Sequence, residues 1–259
     1  MPELNPWIVR PKESARAARR LFCFPYAGAG ISAFRGWPEQ LASDMEVCLV
    51  QPPGRENRFY EAPLASISQM VAEVARNLIK WIDRPYALYG HSLGAVTAFE
   101  TVRFLRRQGI PGPMHLFVSA SRAPQLPWPH PPIHRLADSE LLAEIHRRYG
   151  SIPRQLLDDA EMRALLVPAL RADFQQIETY CYAEAPPLAC PISVFGGRDD
   201  PMVTLDALAA WQHQTRSGFD LKLLPGTHLF LQTARLELLQ SISAAIAGSQ
   251  EVVPAPVHE

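Results

Sequence analysis

Tyr86-Ala87-Leu88-Tyr89-Gly90-His91-Ser92-Leu93-Gly94 is the stretch that decides the fold. It runs from apolar residues typical of a buried strand into a Gly-x-Ser-x-Gly pattern, and a helical pattern over residues 95–108 follows at once. Strand, tight turn and helix in this order form the context of a nucleophile elbow, in which a strained turn lifts a serine above a sheet. Small neighbours are needed there, and Gly90 and Gly94 meet that need. The pattern predicts that Ser92 is a nucleophile.

The rest of the chain alternates short apolar runs with helical patterns. Besides the run before Ser92, strands are indicated at residues 21–24, 47–50, 116–118, 191–196 and 219–224. Helices are indicated at residues 34–42, 67–82 and 229–247. Strands that alternate with helices imply a mostly parallel sheet with helices on both faces. We therefore predict an α/β fold.

The stretch from about 122 to 187 departs from this alternation. Five prolines between Pro124 and Pro132 interrupt any regular element, and helical segments without strands follow. We predict helices over 140–149, from Asp158 or Asp159 through 170, and over 172–182. A helical insertion at this point of the chain is interpreted as a lid over the site, and a plain helical subdomain is the alternative.

Composition limits the classes of protein that this chain can belong to. Its 259 residues are 47% hydrophobic, which supports one large domain with a substantial core. The formal net charge of −1 gives no field that attracts nucleic acid or an anionic membrane. The N-terminus has no apolar run typical of a signal peptide, and no stretch is long enough to span a bilayer. Four cysteines without a Cys-x-x-Cys pair favour a reducing cytoplasm.

Three segments are expected along the chain. Residues 1–20 are polar and rich in arginine and proline, and we predict a flexible leader. Residues 21–247 form the catalytic domain, with the lid inserted at about 122–187. Residues 248–259 are polar and contain prolines, and we predict a disordered tail.

The acid and the base of the site are sought downstream of Ser92. In hydrolases built on such a sheet, the acid and then the histidine follow the serine on loops after late strands. The loop over residues 197–201 offers Asp199 and Asp200. Because Pro201 restricts the preceding residue to an extended shape, we favour Asp200 and keep Asp199 as the alternative.

The position of each remaining histidine along the chain indicates which one is the base. Three histidines remain after this loop: His213 lies in a predicted helix, His258 in the tail, and His228 directly after a predicted strand. We therefore predict a Ser92–His228–Asp200 triad in an α/β-hydrolase fold with a helical lid. His91, inside the elbow, is expected to pack rather than react.

An oxyanion site requires two backbone N–H groups. Leu93, at the start of the helix after the elbow, is one candidate. The small-residue loop Pro25-Tyr26-Ala27-Gly28-Ala29-Gly30 follows an early strand, where hydrolases of this architecture place the second donor. We predict Ala27, with Tyr26 as the alternative. No Gly-Lys-Ser/Thr follows this loop, and we expect neither a cofactor nor a metal.

Five motifs together resemble a known family. They are Phe24-Pro25-Tyr26-Ala27-Gly28-Ala29-Gly30, Gln51-Pro52-Pro53-Gly54-Arg55-Glu56, Gly90-His91-Ser92-Leu93-Gly94, Gly197-Arg198-Asp199-Asp200-Pro201 and Gly226-Thr227-His228. In this order they resemble the type II thioesterases of non-ribosomal peptide and polyketide synthases. The family usually has Leu where Pro52 stands and often His where Tyr26 stands. From residues alone, Arg55, Glu56 and Arg58 are interpreted as a local ion-pair cluster rather than a binding site.

The resemblance implies a substrate and a partner. Members of the family are stand-alone enzymes that hydrolyse aberrant acyl groups from the phosphopantetheine arm of acyl or peptidyl carrier proteins. We expect a cytoplasmic monomer that docks such a carrier and binds neither nucleic acid nor membrane. The candidate docking residues are Arg135, Arg147, Arg148 and Arg154, and a solvated helix face is the alternative. A carboxylesterase or an acyl transferase with the same triad, and an inactive binding module, are the other functions considered.

Overall fold

A seven-stranded sheet runs through the part of the chain that the computed structural model describes, which is residues 6–150, 152 and 159–248. The strands lie in the order β1-β3-β2-β4-β5-β6-β7. They are β1 (Ile8–Val9), β2 (Arg19–Phe24), β3 (Met45–Val50), β4 (Tyr86–His91), β5 (His115–Ser119), β6 (Ile192–Gly197) and β7 (Phe219–Leu224). β1 is antiparallel to β3, and all the other pairs are parallel. The prediction of a mostly parallel sheet is confirmed.

Helices cover both faces of this sheet. In the described residues they are α1 (Trp37–Gln40), α2 (Ile67–Leu78), α3 (Leu93–Arg107), α4 (Asp138–Tyr149), α5 (Ala160–Glu178), α6 (Leu205–Ala209), α7 (Phe230–Thr233) and α8 (Arg235–Gly248). Short 3-10 turns lie at Ile31–Phe34, Glu56–Arg58, Ile79–Trp81 and Ala210–Gln214. The predicted helix over 34–42 is therefore shorter than expected, because Gly36, at φ 82°, separates the first turn from α1.

The core against the sheet is divided between its two faces, because successive side chains of a strand point to opposite sides. In β2, Phe22 and Phe24 pack into the cluster that also contains residues of α2 and α3. Leu21 and Cys23 pack on the other face, in the cluster that contains residues of α1 and α8. The central strands are thus buried on both sides, which explains why they are continuous apolar runs, whereas the edge strand β7 alternates and is partly exposed.

The N-terminal segment differs from the flexible leader that we expected. Ile8 and Val9 pair with Val50 and Leu49 of β3, and Trp7 is buried. The guanidinium of Arg58 lies 4.1 Å from the centre of the Trp7 ring. Together with the buried Trp7, Ile8 and Val9 give residues 6–10 enough apolar surface to pack against the edge of the sheet. The predicted tail begins where α8 ends, at Gly248, and its remaining residues lie outside the described part of the chain.

In its described residues, the insertion between β5 and β6 contains two long helices, α4 and α5. Our expectation of a third helix from residue 172 is wrong, since α5 continues without interruption from Ala160 to Glu178 with Pro168 inside it. Asp159 caps this helix, as one of the two predicted caps, and its carboxylate accepts hydrogen bonds from the N–H groups of Glu161 and Met162. Most buried apolar residues of α4 and α5 form a cluster of their own, whereas Ala123, at the start of the insertion, packs with the sheet.

Among the described residues, no helix combines the length and the apolar character that crossing a membrane requires.

Candidate active site

The elbow holds Ser92 in a backbone conformation that few residues adopt. Ser92 has φ 54° and ψ −115° between the end of β4 and the start of α3, and its N–H donates to the carbonyl of Ser119 at 2.8 Å. A Cβ on Gly90 would lie 2.2 Å from the Gly94 carbonyl oxygen, and one on Gly94 would lie 2.2 Å from the Phe24 carbonyl oxygen. Both glycines are therefore required by close backbone contact.

Ser92, His228 and Asp200 form one hydrogen-bonded chain. Ser92 Oγ lies 3.0 Å from His228 Nε2, and His228 Nδ1 lies 2.8 Å from Asp200 Oδ2. Since an ionised carboxylate only accepts, Nδ1 carries the proton and Nε2 is left to accept the Ser92 hydroxyl. His228 and Asp200 are brought to Ser92 by the loops after β7 and β6. This arrangement can move a proton from the serine to the imidazole.

The two neighbouring aspartates have different surroundings. The side chain of Asp200 is 1% exposed, and its second oxygen, Oδ1, accepts the N–H of Met202 at 2.9 Å. Asp199 is exposed, and its backbone N–H donates to the Gly226 carbonyl. The structure thus places Asp200, and not Asp199, against the imidazole of His228.

His91 supports the site from below, and the expectation that it packs is confirmed. It is fully buried, and its Nε2–H donates to the carbonyl oxygen of His228 at 2.8 Å. Its Nδ1 then accepts the Ser119 hydroxyl at 2.9 Å. Burial, and to a lesser degree the charge of His228, lowers the pKa of His91 well below its ordinary value. A neutral His91 therefore fixes the backbone of His228.

The loop predicted to carry the second oxyanion donor is a tight turn. The Ala29 N–H donates to the Tyr26 carbonyl at 3.0 Å, and Gly28 has φ 80°. A positive φ at the third position of a four-residue turn is the mark of a type II turn, with Ala27 at its second position. Ala27, Leu93 and Ser92 line one cavity. Leu93 is the first residue of α3, and its N–H has no acceptor inside that helix.

Side chains of the Gln51–Glu56 segment hold the following residues of this loop. Gln51 Oε1 accepts the Ile31 N–H at 3.0 Å, and Glu56 accepts both the N–H and the hydroxyl of Ser32. Only Arg58 forms a local ion pair, with Glu61. The interpretation of a local ion-pair cluster is therefore wrong for Arg55, which turns inward to the insertion.

Asp173 of α5 receives Arg55 in a buried ion pair. Both guanidinium nitrogens of Arg55 donate to the carboxylate, the bond to Oδ1 measuring 3.0 Å, and Asp173 is 1% exposed. The same carboxylate accepts the Gly28 N–H at 2.7 Å. Asp173 thus connects the insertion to the turn that contains Ala27.

The sequence model of the thioesterase domain family matches residues 19–246. The chain belongs to the thioesterase family. It is a hydrolase that acts on acyl thioesters.

Relatives of this thioesterase come from non-ribosomal peptide and polyketide pathways. It is 41% identical over 238 residues to the gramicidin S biosynthesis protein GrsT of Aneurinibacillus migulanus, covering 92% of this chain and 93% of that protein. It is similar in structure to RedJ, a thioesterase of the prodiginine pathway in Streptomyces coelicolor, with a TM-score of 0.83, 40% identity, and coverage of 89% and 91%. For BorB, the type II thioesterase of the borrelidin cluster, the TM-score is 0.82 and the identity 33%, and the match covers 95% of this chain and 98% of that one. The predicted resemblance to type II thioesterases is confirmed.

The cavity of the thioesterase lies between the sheet and the insertion. It holds about 60 Å³ above Ser92, which is small beside the roughly 300–1,000 Å³ of typical ligand sites. Tyr149 and Phe174 close it from α4 and α5, and the Tyr149 ring centre lies 4.9 Å from that of His228. The conformation shown therefore leaves little free space beside Ser92.

The candidate docking arginines of the thioesterase have unequal surroundings. Arg147 is exposed and pairs with Glu144, and Arg135 is exposed. The side chain of Arg148 is 5% exposed and pairs with Glu144 as well, so it is removed from the set of docking residues. Arg154 lies outside the described residues.

Sequence reasoning missed the residues that support the site of the thioesterase. Asp173 carried a signal, since it follows Leu170 by three positions and precedes Ile177 by four, within the apolar stripe of α5. An acid on the buried face of a helix requires a partner. Nothing in the local pattern names Arg55 and Gly28 as its partners, because they lie more than 110 residues away in the chain.

Proposed function

We propose that Ser92 is the nucleophile, His228 the general base and acid, and Asp200 the residue that orients His228. The hydrogen-bonded chain from Ser92 Oγ through His228 to Asp200 Oδ2 is the observation that supports this assignment. The N–H groups of Leu93 and Ala27 hold the oxyanion. Each such donor is worth roughly 3–4 kcal/mol in the transition state.

In the first half-reaction, Ser92 Oγ attacks the thioester carbonyl carbon while its proton passes to His228 Nε2. The carbonyl oxygen becomes an oxyanion held by the two N–H groups. When the C–S bond breaks, His228 returns the proton to the departing thiolate, and the free thiol leaves an acyl ester on Ser92. Asp200 stabilises the imidazolium that forms between these two steps.

In the second half-reaction, water takes the place of the thiol. His228 removes a proton from the water, whose oxygen attacks the acyl ester and forms a second oxyanion. The C–O bond to Ser92 breaks, and Ser92 Oγ takes the proton back from His228. The products are the carboxylic acid and the free enzyme, so no cofactor is consumed.

The substrate in this proposal is an acyl thioester on the phosphopantetheine arm of an acyl or peptidyl carrier protein. Support comes from relatives whose names place them in gramicidin S, prodiginine and borrelidin biosynthesis. The proposed role is to remove short aberrant acyl groups from stalled synthases. The small cavity supports a short-chain preference, and the insertion is proposed to act as a lid that moves to admit the arm. The enzyme is proposed to work as a monomer in the cytoplasm, where its unpaired cysteines stay reduced.

The roles of the residues are tested by substitution. Ser92→Ala removes only one oxygen, so the protein stays folded while hydrolysis is lost. Asp200→Asn lowers kcat by about 10⁴-fold, and the matched change Asp199→Asn leaves it within a few-fold. A fluorophosphonate probe labels Ser92 alone. Labelling of another serine, or a larger loss from Asp199→Asn, contradicts the assignment.

The substrate is tested with one acyl group in three forms: on a carrier protein, on free pantetheine and as an oxygen ester. We expect the highest kcat/KM on the carrier protein and a higher value for acetyl or propionyl than for a long acyl chain. Best cleavage of the oxygen ester, with no gain from the carrier, replaces the proposal by a carboxylesterase. Transfer of the acyl group to an added alcohol or amine in preference to water replaces it by an acyl transferase.

A further inference from the structure

Asp173 joins three parts of the molecule that are far apart in sequence. It lies on α5 in the insertion, it pairs with Arg55 on the loop after β3, and it accepts the N–H of Gly28 after β2. Gln176, one turn along the same helix, donates to Asp173 Oδ1 at 3.3 Å and to the Leu64 carbonyl at 2.8 Å. The carboxylate of Asp173 therefore accepts four hydrogen bonds from protein groups, and its side chain is almost completely buried.

The bond to Gly28 acts on the central peptide of the turn. Gly28 is the third residue of the Tyr26–Ala29 turn, so its N–H belongs to the peptide that joins it to Ala27. Type I and type II turns differ by a rotation of this peptide through about half a turn, which also changes the sign of φ at the third residue. Glycine permits both states. A carboxylate 2.7 Å from the Gly28 N–H accepts this bond only in the state that the structure shows.

Packing favours the same state. An ideal Cβ on Gly28 would lie 2.5 Å from Leu170 Cδ2, so α5 sits directly on the turn. Ala27 packs against the apolar cluster of the insertion as well as against residues of α2 and α3. Arg55 adds a long bond, at 3.4 Å, to the Ala29 carbonyl. Residues of the insertion and Arg55 thus hold the turn at Gly28 and at Ala29, next to Ala27, whose N–H is the proposed oxyanion donor.

We infer that Asp173 is a positioning residue for catalysis: it fixes the turn that presents the Ala27 N–H to the oxyanion, with Arg55 holding its carboxylate in place. The inference rests on the proposed function, since it assigns Asp173 to the oxyanion site described there. In this role α5 helps to stabilise the transition state, in addition to lining the acyl cavity. Displacement of an oxyanion donor by about 1 Å costs up to about 10²-fold in rate.

A pair of double variants separates positioning from stability. Removing Asp173 alone would leave Arg55 as an unpaired buried cation, which destabilises a protein strongly. Both variants therefore carry Arg55→Met, and the second change is either Asp173→Asn, which keeps an oxygen for the Gly28 N–H, or Asp173→Leu, which has a similar size and no acceptor. Glu61→Gln, which removes the partner of Arg58 on the same loop, serves as the control.

The expected result is a difference in kcat at matched folding. The Asn double variant keeps kcat within about fivefold of the wild type, and the Leu double variant loses about 10²-fold with KM changed by less than about threefold. An acyl boronic acid, which forms an oxyanion on the nucleophile, binds the Leu double variant more weakly by a similar factor. An uncleavable thioether analogue of the substrate binds both variants equally. Glu61→Gln matches the wild type in every measurement.

Two outcomes overturn the inference. In the first, the Leu double variant folds, by circular dichroism and thermal melting, and keeps wild-type kcat while Ser92→Ala is inactive. In the second, the two double variants lose equal activity and equal affinity for both analogues, which assigns Asp173 to structure alone. Failure of the proposed function is seen separately, as activity retained by Ser92→Ala.

Discussion

At the scale of single residues, the geometry of the site depends on close backbone contacts that leave no room for a side chain at two positions. Ser92 adopts a positive φ, and two glycines leave room for the turn that permits it. The histidine beside it, His91, donates its ring N–H to the backbone carbonyl of His228 and does not take part in the proposed reaction. The elbow is therefore a packed structure, in which strain at one residue is held by contacts of its neighbours.

Gly94→Ala tests this packing. The new methyl would lie 2.2 Å from the Phe24 carbonyl oxygen, so α3 must move away from β2 and carry Ser92 with it. We expect a loss of about 1–3 kcal/mol in the free energy of unfolding and a fall in kcat of about 10²-fold. Urea titration and steady-state kinetics measure the two effects. Gly112→Ala is the control, because no atom lies within 4 Å of a Cβ there; equal effects of the two changes would refute the packing argument.

The residues of the hydrogen-bonded chain Ser92–His228–Asp200, which is the proposed triad, could be located from sequence because each is marked by its local surroundings. Ser92 sits between two glycines at a strand–helix junction, and His228 follows a strand directly. The preference for Asp200 over Asp199 depends on the residues that follow it, Pro201, which restricts its backbone, and Val203, which can anchor the loop. The contact between Asp173 and Gly28, which supports the site, could not be predicted. The two residues are 145 positions apart in the chain, and no sequence pattern links them.

At the scale of elements, the insertion behaves as a small unit placed on the sheet. Most buried apolar residues of α4 and α5 pack into their own cluster, and polar contacts join the insertion to the rest of the chain. Besides Asp173, Tyr180 donates to Glu100 at 2.6 Å and Arg103 of α3 donates to the Ala183 carbonyl. The strands were predictable because burial on both faces leaves continuous apolar runs. The single helix α5 was not, because Pro168, which is exposed, is tolerated where a break is expected.

Hydrogen exchange tests whether the insertion moves. Pro168 has no N–H, so the two halves of α5 are not joined by the usual bond at that residue. We expect residues 160–167 and α4 to exchange faster than residues 169–178, which the Asp173 and Gln176 bonds hold to the sheet. The amides of β4 provide the slow reference. Protection of α4 equal to that of β4 would leave a static subdomain rather than a lid.

At the scale of the whole molecule, the fold buries several titratable groups away from the site. His115 in β5 is 5% exposed, stacks on Phe117 at 4.3 Å, and reaches the Ser193 hydroxyl through Nε2 at 2.9 Å. Its other ring nitrogen has no hydrogen-bond partner in the described residues. Burial lowers the pKa of His115 to about 4. His91 is affected in the same direction, so two histidines of the sheet are neutral in the folded state.

The stability of the protein is therefore expected to fall in mild acid. In the unfolded chain these histidines take up protons near pH 6.5, whereas the folded state holds His115 neutral down to about pH 4. Between these values the unfolded state binds more protons, so the free energy of unfolding falls as pH falls, by roughly 1.4 kcal/mol per pH unit for each proton. Urea unfolding at pH 7, 6 and 5 measures the slope.

His115→Gln reduces the slope of the free energy of unfolding against pH by the contribution of about one proton. The change His213→Gln, at an exposed histidine, serves as the control. A slope between pH 7 and 5 that is the same in the wild type and in His115→Gln would mean that His115 titrates alike in the folded and unfolded chains.

The separation of the proposed catalytic residues along the chain has a consequence for folding. Ser92 meets His228 across 136 residues, and Gly28 meets Asp173 across 145, so neither contact can form from a local segment. Contacts of such high contact order form late, after the entropy of closing a long loop has been overcome. A growing chain on the ribosome therefore carries Ser92 without its proposed base until β7 and the loop after it are made. Return of hydrolysis after dilution from urea should be the final kinetic phase, later than return of helical circular dichroism.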